Sequence, residues 1–357
     1  MIKILLVGPF LNDIAGGITI HVKNLIEIFK NIEDINIEHF AITDAKHDQE
    51  PWAKKIKRLI NRLVPFVIIA RSCDVIHLNS TFDNRSVLRD LFYGAIVKII
   101  RRKKVIIQFH GGRPSNVFFF TNKLTRFLFG FLFGHFNHVL ALSKFQRSQF
   151  ISYFPNIDVR LVPNCVQLNL EKQSLPDRHQ VVFLFIGRVA ESKGILKIIR
   201  AAKILVNDTL DFKIIICGTG PLQEQLLKEI YSNKLQDHIQ YLGFVSGLVK
   251  EKIFFESDVM LLPTDHDEGF PYSLLEAFSY GLPVIGTKKG AIPEVIEDGI
   301  DGFVMNSNHE EILYEKMKYF CEHQGQAARM GKFGKEKLIQ KYNCNILLEK
   351  LINIYLF

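Results

Sequence analysis

One local pattern recurs twelve times along this chain: a short apolar run rich in β-branched residues, then a stretch with helical spacing. In the first half the runs fall at 2–8, 35–42, 74–78, 104–109, 138–142 and 159–162. In the second half they fall at 181–186, 212–217, 239–242, 258–262, 283–286 and 302–305. VVFLFI is apolar at every position and FKIIIC at all but Lys213, as strands buried on both faces are. Helical spacing is clear at 18–30, 85–101, 193–206, 222–232, 247–255, 274–280 and 291–297. Strand–helix alternation implies right-handed crossovers and parallel sheets. The fold expected is α/β, with two Rossmann-like, doubly wound parallel-sheet domains facing across a cleft.

The stretch LNLEKQSLPDRHQ, residues 168–180, is polar, holds a proline and lacks apolar periodicity. It reads as a linker. The domains expected are therefore 1–167 and 181–340. Residues 341–357 form a final helix that packs back on the first domain. Helical patterns at 308–322, 325–341 and 344–355 have no strand to accompany them.

With 357 residues, 48% hydrophobic and 23% charged, the composition excludes a disordered tail, a collagen-like repeat and a rod. The five cysteines are an odd number, widely spaced, and contain no C-x-x-C, which argues against a disulfide framework or zinc ribbon. The start, MIKILLVGPF, lacks a basic region before an apolar core, so no secretory signal is read. The longest uncharged run, Phe127 to Ser143, is interrupted by glycine, histidine and asparagine and does not read as a spanning helix. A cytoplasmic protein is expected.

Charge is unevenly placed. Residues 1–170 hold 23 Lys and Arg against 12 Asp and Glu, whereas the remainder is mildly acidic. A basic half points to an anionic partner. No helix-turn-helix, zinc-finger or RNA-binding signature accompanies the charge, so no nucleic acid is expected. The other candidate is an anionic membrane surface. Clusters lie at Lys54, Lys55, Lys57, Arg58 and Arg62, and at Arg101 to Lys104. The stretch Val117 to Phe136 mixes phenylalanine with Lys123 and Arg126, either as an interfacial segment or as core.

The chemistry-bearing residues sit after strands. Gly16–Gly17 precede a helix, where glycine permits close approach of a phosphate to free N–H groups, or forms a simple turn. His110 ends the run KVIIQF, as a catalytic group or as a hydrogen-bonded cap; His77, inside an apolar run, reads as structural. Gly187, Arg188, Lys193 and Gly194 share one loop, whose two cations would clamp a diphosphate or else lie solvated. Gly218 and Gly220 lie between a strand and a proline-opened helix, as a nucleotide-approach loop or a tight turn. In LLPTDHDEGFPYSLLEAF the N–H groups of Gly269, Phe270, Tyr272 and Ser273 could converge on an anion. Ser273-x-x-Glu276 has the form of a capping box at a helix starting near Leu274. Asp265, Asp267 and Glu268 lack the spacing of a metal set.

Taken together, the Gly16–Gly17 loop, His110–Gly111, VPNCV, GRVAESKG, EGFPYSLLE with its Glu-x7-Glu spacing, GLPVIGT and GAIPEVIEDGIDGFV resemble the retaining family 4 glycosyltransferases of the GT-B fold. The resemblance is most specific over 181–305. It departs from the common pattern at Cys165 and Gln167, where glycine and aspartate are usual. It implies a retaining hexosyltransferase using a nucleoside diphosphate sugar, with no divalent metal and no cofactor. A glycan or lipid-linked acceptor in bacterial surface polysaccharide synthesis, reached at the inner face of the membrane, follows from the same resemblance. It implies that Arg188 and Lys193 neutralise the diphosphate and that Glu276 binds the ribose. Glu268, with Gly269, Phe270, Pro271 and Tyr272, would face the hexose; His110 would contact the sugar; and Gly16–Gly17 would approach the phosphates. Gly187 and Gly218 complete the donor set. The rival readings are a GT-B sugar-nucleotide epimerase and a non-enzymatic basic protein binding membranes or polyanions.

Overall fold

The computed structural model describes every residue except 12–15, 31, 44–51, 102, 169–179, 308 and 324, and the side chains of all described residues but 52–59 and 99–101. The linker expected at 168–180 therefore falls almost wholly outside the described residues, as do the side chains of Lys54, Lys55, Lys57, Arg58 and Arg101. The chain divides into unit 1, Met1–Asn164 with Cys344–Phe357, and unit 2, Cys165–Asn343.

Unit 1 runs β1 (Ile2–Pro9), α1 (Gly17–Phe29), β2 (Ile35–Thr43), α2 (Trp52–Ser72), β3 (Val75–Phe82), α3 (Asn84–Arg101), β4 (Lys104–Gly112), α4 (Phe118–Thr121), α5 (Lys123–His135), β5 (His138–Ala141), α6 (Lys144–Tyr153) and β6 (Val159–Leu161). Its six strands are parallel, in the order β2-β1-β3-β4-β5-β6. Only the step from β1 to β2 moves one way along the sheet. Right-handed crossovers therefore place α1 on one face and α2, α3, α5 and α6 on the other. Ile4 to Val7 on β1 are at most 1% exposed, as burial by helices on both sides requires.

The phenylalanine-rich stretch divides by helical face. Phe120, Phe129, Phe133 and Phe136 are buried with Phe150 and Phe154, ring against ring at 4.9–6.5 Å, whereas Phe118, Phe127 and Phe131 are exposed. Of the eight phenylalanine rings in Val117 to Phe136, four are buried, three are exposed and Phe119 is intermediate, packed against the core.

Unit 2 runs β7 (Val181–Ile186), α7 (Ile195–Asn207), β8 (Phe212–Cys217), α8 (Gln223–Ser232), β9 (Ile239–Gly243), α9 (Gly247–Phe255), β10 (Val259–Leu262), α10 (Tyr272–Ser279), β11 (Val284–Thr287), α11 (Ile292–Val295), β12 (Gly302–Met305), α12 (Glu310–Glu322) and α13 (Gln326–Lys341). The order is β12-β11-β10-β7-β8-β9, all parallel. The order reverses between β10 and β7, so the loops leaving these two strands flank a crevice at their carboxyl ends.

The last helix, α14 (Cys344–Leu356), belongs to unit 1. It packs on α1 and buries Leu347, Leu351, Ile354 and Tyr355. The five cysteines are unpaired. No helix of the described residues is long and apolar enough to cross a membrane.

Candidate functional site

In unit 2 the loops at the reversal point are tied to one another. After β7 the chain makes a 3-10 turn, Glu191–Lys193, before Gly194 opens α7, so the helix begins two residues later than the spacing suggests. The Ser192 carbonyl accepts from the N–H of Asp265 at 2.8 Å and from the Thr264 hydroxyl at 3.0 Å, both on the loop leaving β10. Two ion pairs reinforce the seam: Lys193 Nζ to Glu268 Oε1 at 2.5 Å, and Lys197 Nζ to Asp265 Oδ2 at 2.6 Å. Glu268 is only 12% exposed, so Lys193 offsets a largely desolvated charge. From the other side, the Ala291 N–H donates to the Glu268 carbonyl at 2.8 Å and the Gly290 N–H to Asp267 Oδ1 at 3.2 Å. Each of the three carboxylates considered for a metal thus has a protein partner. Among the described residues no cluster of three His, Cys, Asp or Glu is placed to hold a metal ion.

Arg188 follows the same strand but is exposed, with no hydrogen bond or ion pair to a described residue. Of the expected pair of cations, Lys193 is held by an ion pair and Arg188 is exposed without one. Gly187 lies just past β7, its N–H on the Cys217 carbonyl at 3.0 Å. Gly218 sits beside it, with φ +129°, its N–H on the Gly243 carbonyl at 2.6 Å and its carbonyl accepting from Tyr241 Oη at 2.8 Å.

The capping-box expectation is corrected. α10 starts at Tyr272, with Pro271 as its N-cap, two residues before the predicted start, and no side chain caps it. Ser273 is already inside the helix. Glu276 instead takes Lys250 Nζ on α9 at 2.6 Å. An N-terminus without a side-chain cap leaves the positive end of the peptide dipoles facing the crevice. Phe270 and Tyr272 are buried, and Phe270 packs edge-on against Tyr342 at 5.3 Å. Lys250 and Gly290 escaped the sequence reading. Gly290 stands in the run GAIPEVIEDGIDGFV with no local mark of its own, and nothing local marks Lys250 as the partner of a residue 26 positions away.

In unit 1, His110 lies within β4, which continues to Gly112; it does not cap a helix. Its Nε2 is 2.8 Å from Asn79 Oδ1. Asn79 Nδ2 donates to the Val7 carbonyl at 3.2 Å, which fixes Oδ1 as the acceptor and so puts the hydrogen on His110 Nε2. Burial, then charge on His21 and His77, holds His110 well below its usual pKa. The ring is neutral and its Nδ1 is a hydrogen-bond acceptor. Gly16 and Gly17 sit at the start of α1, where no side chain caps and an added Cβ would meet nothing within 4 Å. Packing does not demand glycine there.

His21, His77 and His110 form a buried polar cluster. The His21 and His110 rings are 4.4 Å apart, and His77 Nδ1 meets Tyr355 Oη at 2.8 Å, the structural role expected of His77. Burial, partly offset by hydrogen bonds to Asn164 and Gln108, lowers His21 to about 4; burial and the charge of His21 lower His77 to about 3. The folded state refuses protons that the unfolded chain takes near pH 6.5. Stability is therefore full above that pH and falls between about pH 6.5 and 4, by about 3 kcal/mol for His21 alone. Urea unfolding followed by the fluorescence of Trp52, the sole tryptophan, is expected to show this slope, with part of it absent in His21→Leu. A flat profile over that interval would mean that the rings are not buried neutral.

Residues 166–337 match the family described as glycosyl transferases group 1. An uncharacterized glycosyltransferase of Methanocaldococcus jannaschii is 26% identical over 337 residues, covering 90% of this chain and 89% of its own. The amylovoran biosynthesis glycosyltransferase AmsK of Erwinia amylovora is 28% identical over 176 residues, 48% of this chain and 43% of its own. The crystal structure of Anabaena HepE in complex with UDP superposes with a TM-score of 0.75 at 18% identity, covering 99% of both chains. At that identity the likeness establishes the fold, the two-sheet GT-B architecture.

Proposed function

We propose that this chain, whose residues 166–337 match the glycosyl transferases group 1 family, is a glycosyltransferase that moves a hexosyl group from a nucleoside diphosphate sugar to a hydroxyl of a glycan or lipid-linked acceptor, with retention and without a divalent metal. The observation that carries this reading is the pairing Lys193–Glu268 and Lys250–Glu276 around the uncapped start of α10, at the reversal point of the second sheet. Cation, peptide dipole and two acidic acceptors, on the loops after β7 and β10 and on α10, match the three parts of such a donor.

In this reading Arg188, Lys193 and the first N–H groups of α10 meet the diphosphate. Glu276 accepts from the ribose hydroxyls; Lys250 occupies Oε1 and leaves Oε2 for the diol. Glu268 and the backbone of Gly269 to Tyr272 face the hexose. As the bond from the anomeric carbon to the diphosphate breaks, the acceptor oxygen bonds the same face and its proton passes to the departing phosphate oxygen. Positive charge fixed in advance stabilises that leaving group. The Anabaena protein was solved with UDP-glucose, and the Erwinia relative is named an amylovoran biosynthesis glycosyltransferase; the first supports a nucleotide-sugar donor here and the second a biosynthetic glycosyl transfer. In this reading a lipid-linked acceptor would be met at the inner face of the membrane.

Calorimetric titration with a panel of nucleotide sugars tests the assignment. One donor is expected to bind, with affinity reduced at least about tenfold in Glu276→Ala, the loss of a charged hydrogen-bond acceptor. If no nucleotide sugar binds, the donor assignment is wrong. Proton NMR of the product reads retention directly from the anomeric coupling.

A further inference from the structure

The helical layer of α2, α3 and α5 on unit 1 is apolar on both its sides. α3 packs against α2 and against α5. The inward faces fill the core with Phe66, Leu91, Phe129 and Phe133. The outward faces of such helices are ordinarily polar. Here Leu124, Phe127, Leu128 and Phe131 form an i, i+3, i+4, i+7 stripe along α5, with Phe127 70% and Phe131 59% exposed. Leu88 and Phe92, one turn apart, are exposed on the neighbouring α3, and Ile60, Val64 and Ile68, at every fourth position, are exposed on α2. Single exposed apolar residues need no explanation, but periodic stripes on three neighbouring helices make a surface.

The stretch of chain that carries these helices is strongly basic. Residues 52–135 hold 16 Lys and Arg, three Asp and no Glu. All three aspartates are engaged within the fold. Asp90, 1% exposed, pairs with Arg89 at 2.7 Å; Asp83 accepts from the N–H groups of Arg85 and Ser86 at the start of α3; Asp74 accepts from the Lys3 N–H at 2.9 Å. Lys123 and Arg71, in contrast, are exposed on the helices that carry the stripes.

We propose that the outer face of α2, α3 and α5 docks on an anionic lipid bilayer. The phenylalanine and leucine side chains enter the boundary between headgroups and acyl chains, and the surrounding cations meet headgroup phosphates. The stripes offer area without directional hydrogen-bonding groups, which suits a fluid surface better than a structured partner. The proposal locates a membrane contact and does not depend on the donor assignment.

Flotation of the full chain with phosphatidylcholine vesicles, with and without phosphatidylglycerol, tests it. Binding is expected only with the anionic lipid and is expected to weaken as salt rises from about 0.1 to about 0.5 M. Phe127→Ser with Phe131→Ser is expected to lower partitioning at least about tenfold, with the thermal midpoint and nucleotide-sugar binding unchanged. Absence of flotation, or flotation indifferent to the double substitution, overturns the proposal. So does sedimentation showing a dimer that the substitutions dissociate in a chain that does not float, since the face would then join two copies.

Discussion

Lys193→Ala is expected to lose at least about a hundredfold in turnover while the chain stays folded. Removing one preorganised donor aimed at developing negative charge costs about 3–4 kcal/mol in the barrier, and Lys193 is the cation that the loops hold in place. The substitution also strands Glu268, 12% exposed, without its partner at 2.5 Å. An unpaired, largely buried carboxylate costs roughly 1–3 kcal/mol of stability. The two effects separate in the double variant. Lys193→Ala with Glu268→Gln is expected to recover the thermal midpoint but not the turnover. Near-normal turnover in Lys193→Ala would remove it from the diphosphate site, and a midpoint not recovered by the second change would mean that the pair is not what stabilises the seam.

A residue that touches no substrate in this scheme should have an effect nearly as large. Gly290 holds φ +55°, and a Cβ built on it runs into the backbone carbonyl oxygen and nitrogen of Glu268. Left-handed backbone alone costs a non-glycine residue about 1–2 kcal/mol. The clash cannot be relieved by a rotamer, because its partner is main chain that already accepts from the Ala291 N–H. Gly290→Ala is therefore expected to lower stability by about 2–4 kcal/mol. It should also shift the loop carrying Glu268 and cut turnover about a hundredfold, the usual consequence of misplacing a reacting group by about an ångström. Turnover and urea midpoint measured together test this. Wild-type turnover in a protein of wild-type stability would mean that the loop moves freely, contrary to the hydrogen bonds that pin it.

Tight coupling at one loop explains what was legible beforehand. The central strands could be read because a parallel strand covered on both faces is apolar along its length, as in VVFLFI at 181–186; edge strands such as β9, IQYLG, show alternation instead. The glycines and charged residues following those strands could be read as a site because ligands bind at such ends. The start of α10 was misread because Ser273-x-x-Glu276 satisfies a local rule that Lys250 overrides from another helix. Helical periodicity gave two apolar faces for α5 and no means of choosing which one met the sheet.

What the sequence determined on its own is therefore local: which segments are strands, which loops carry glycine and charge, and where positive charge gathers in the first half. What the tertiary structure decided is pairing. Lys193 meets Glu268 across 75 residues only because β10 lies beside β7. Tyr355 reaches His77 across 278 only because α14 joins the first unit. Burial acts on each residue by itself and leaves its mark in composition. Strand order is settled by the competition among all crossovers at once, and no single stretch of chain records its outcome.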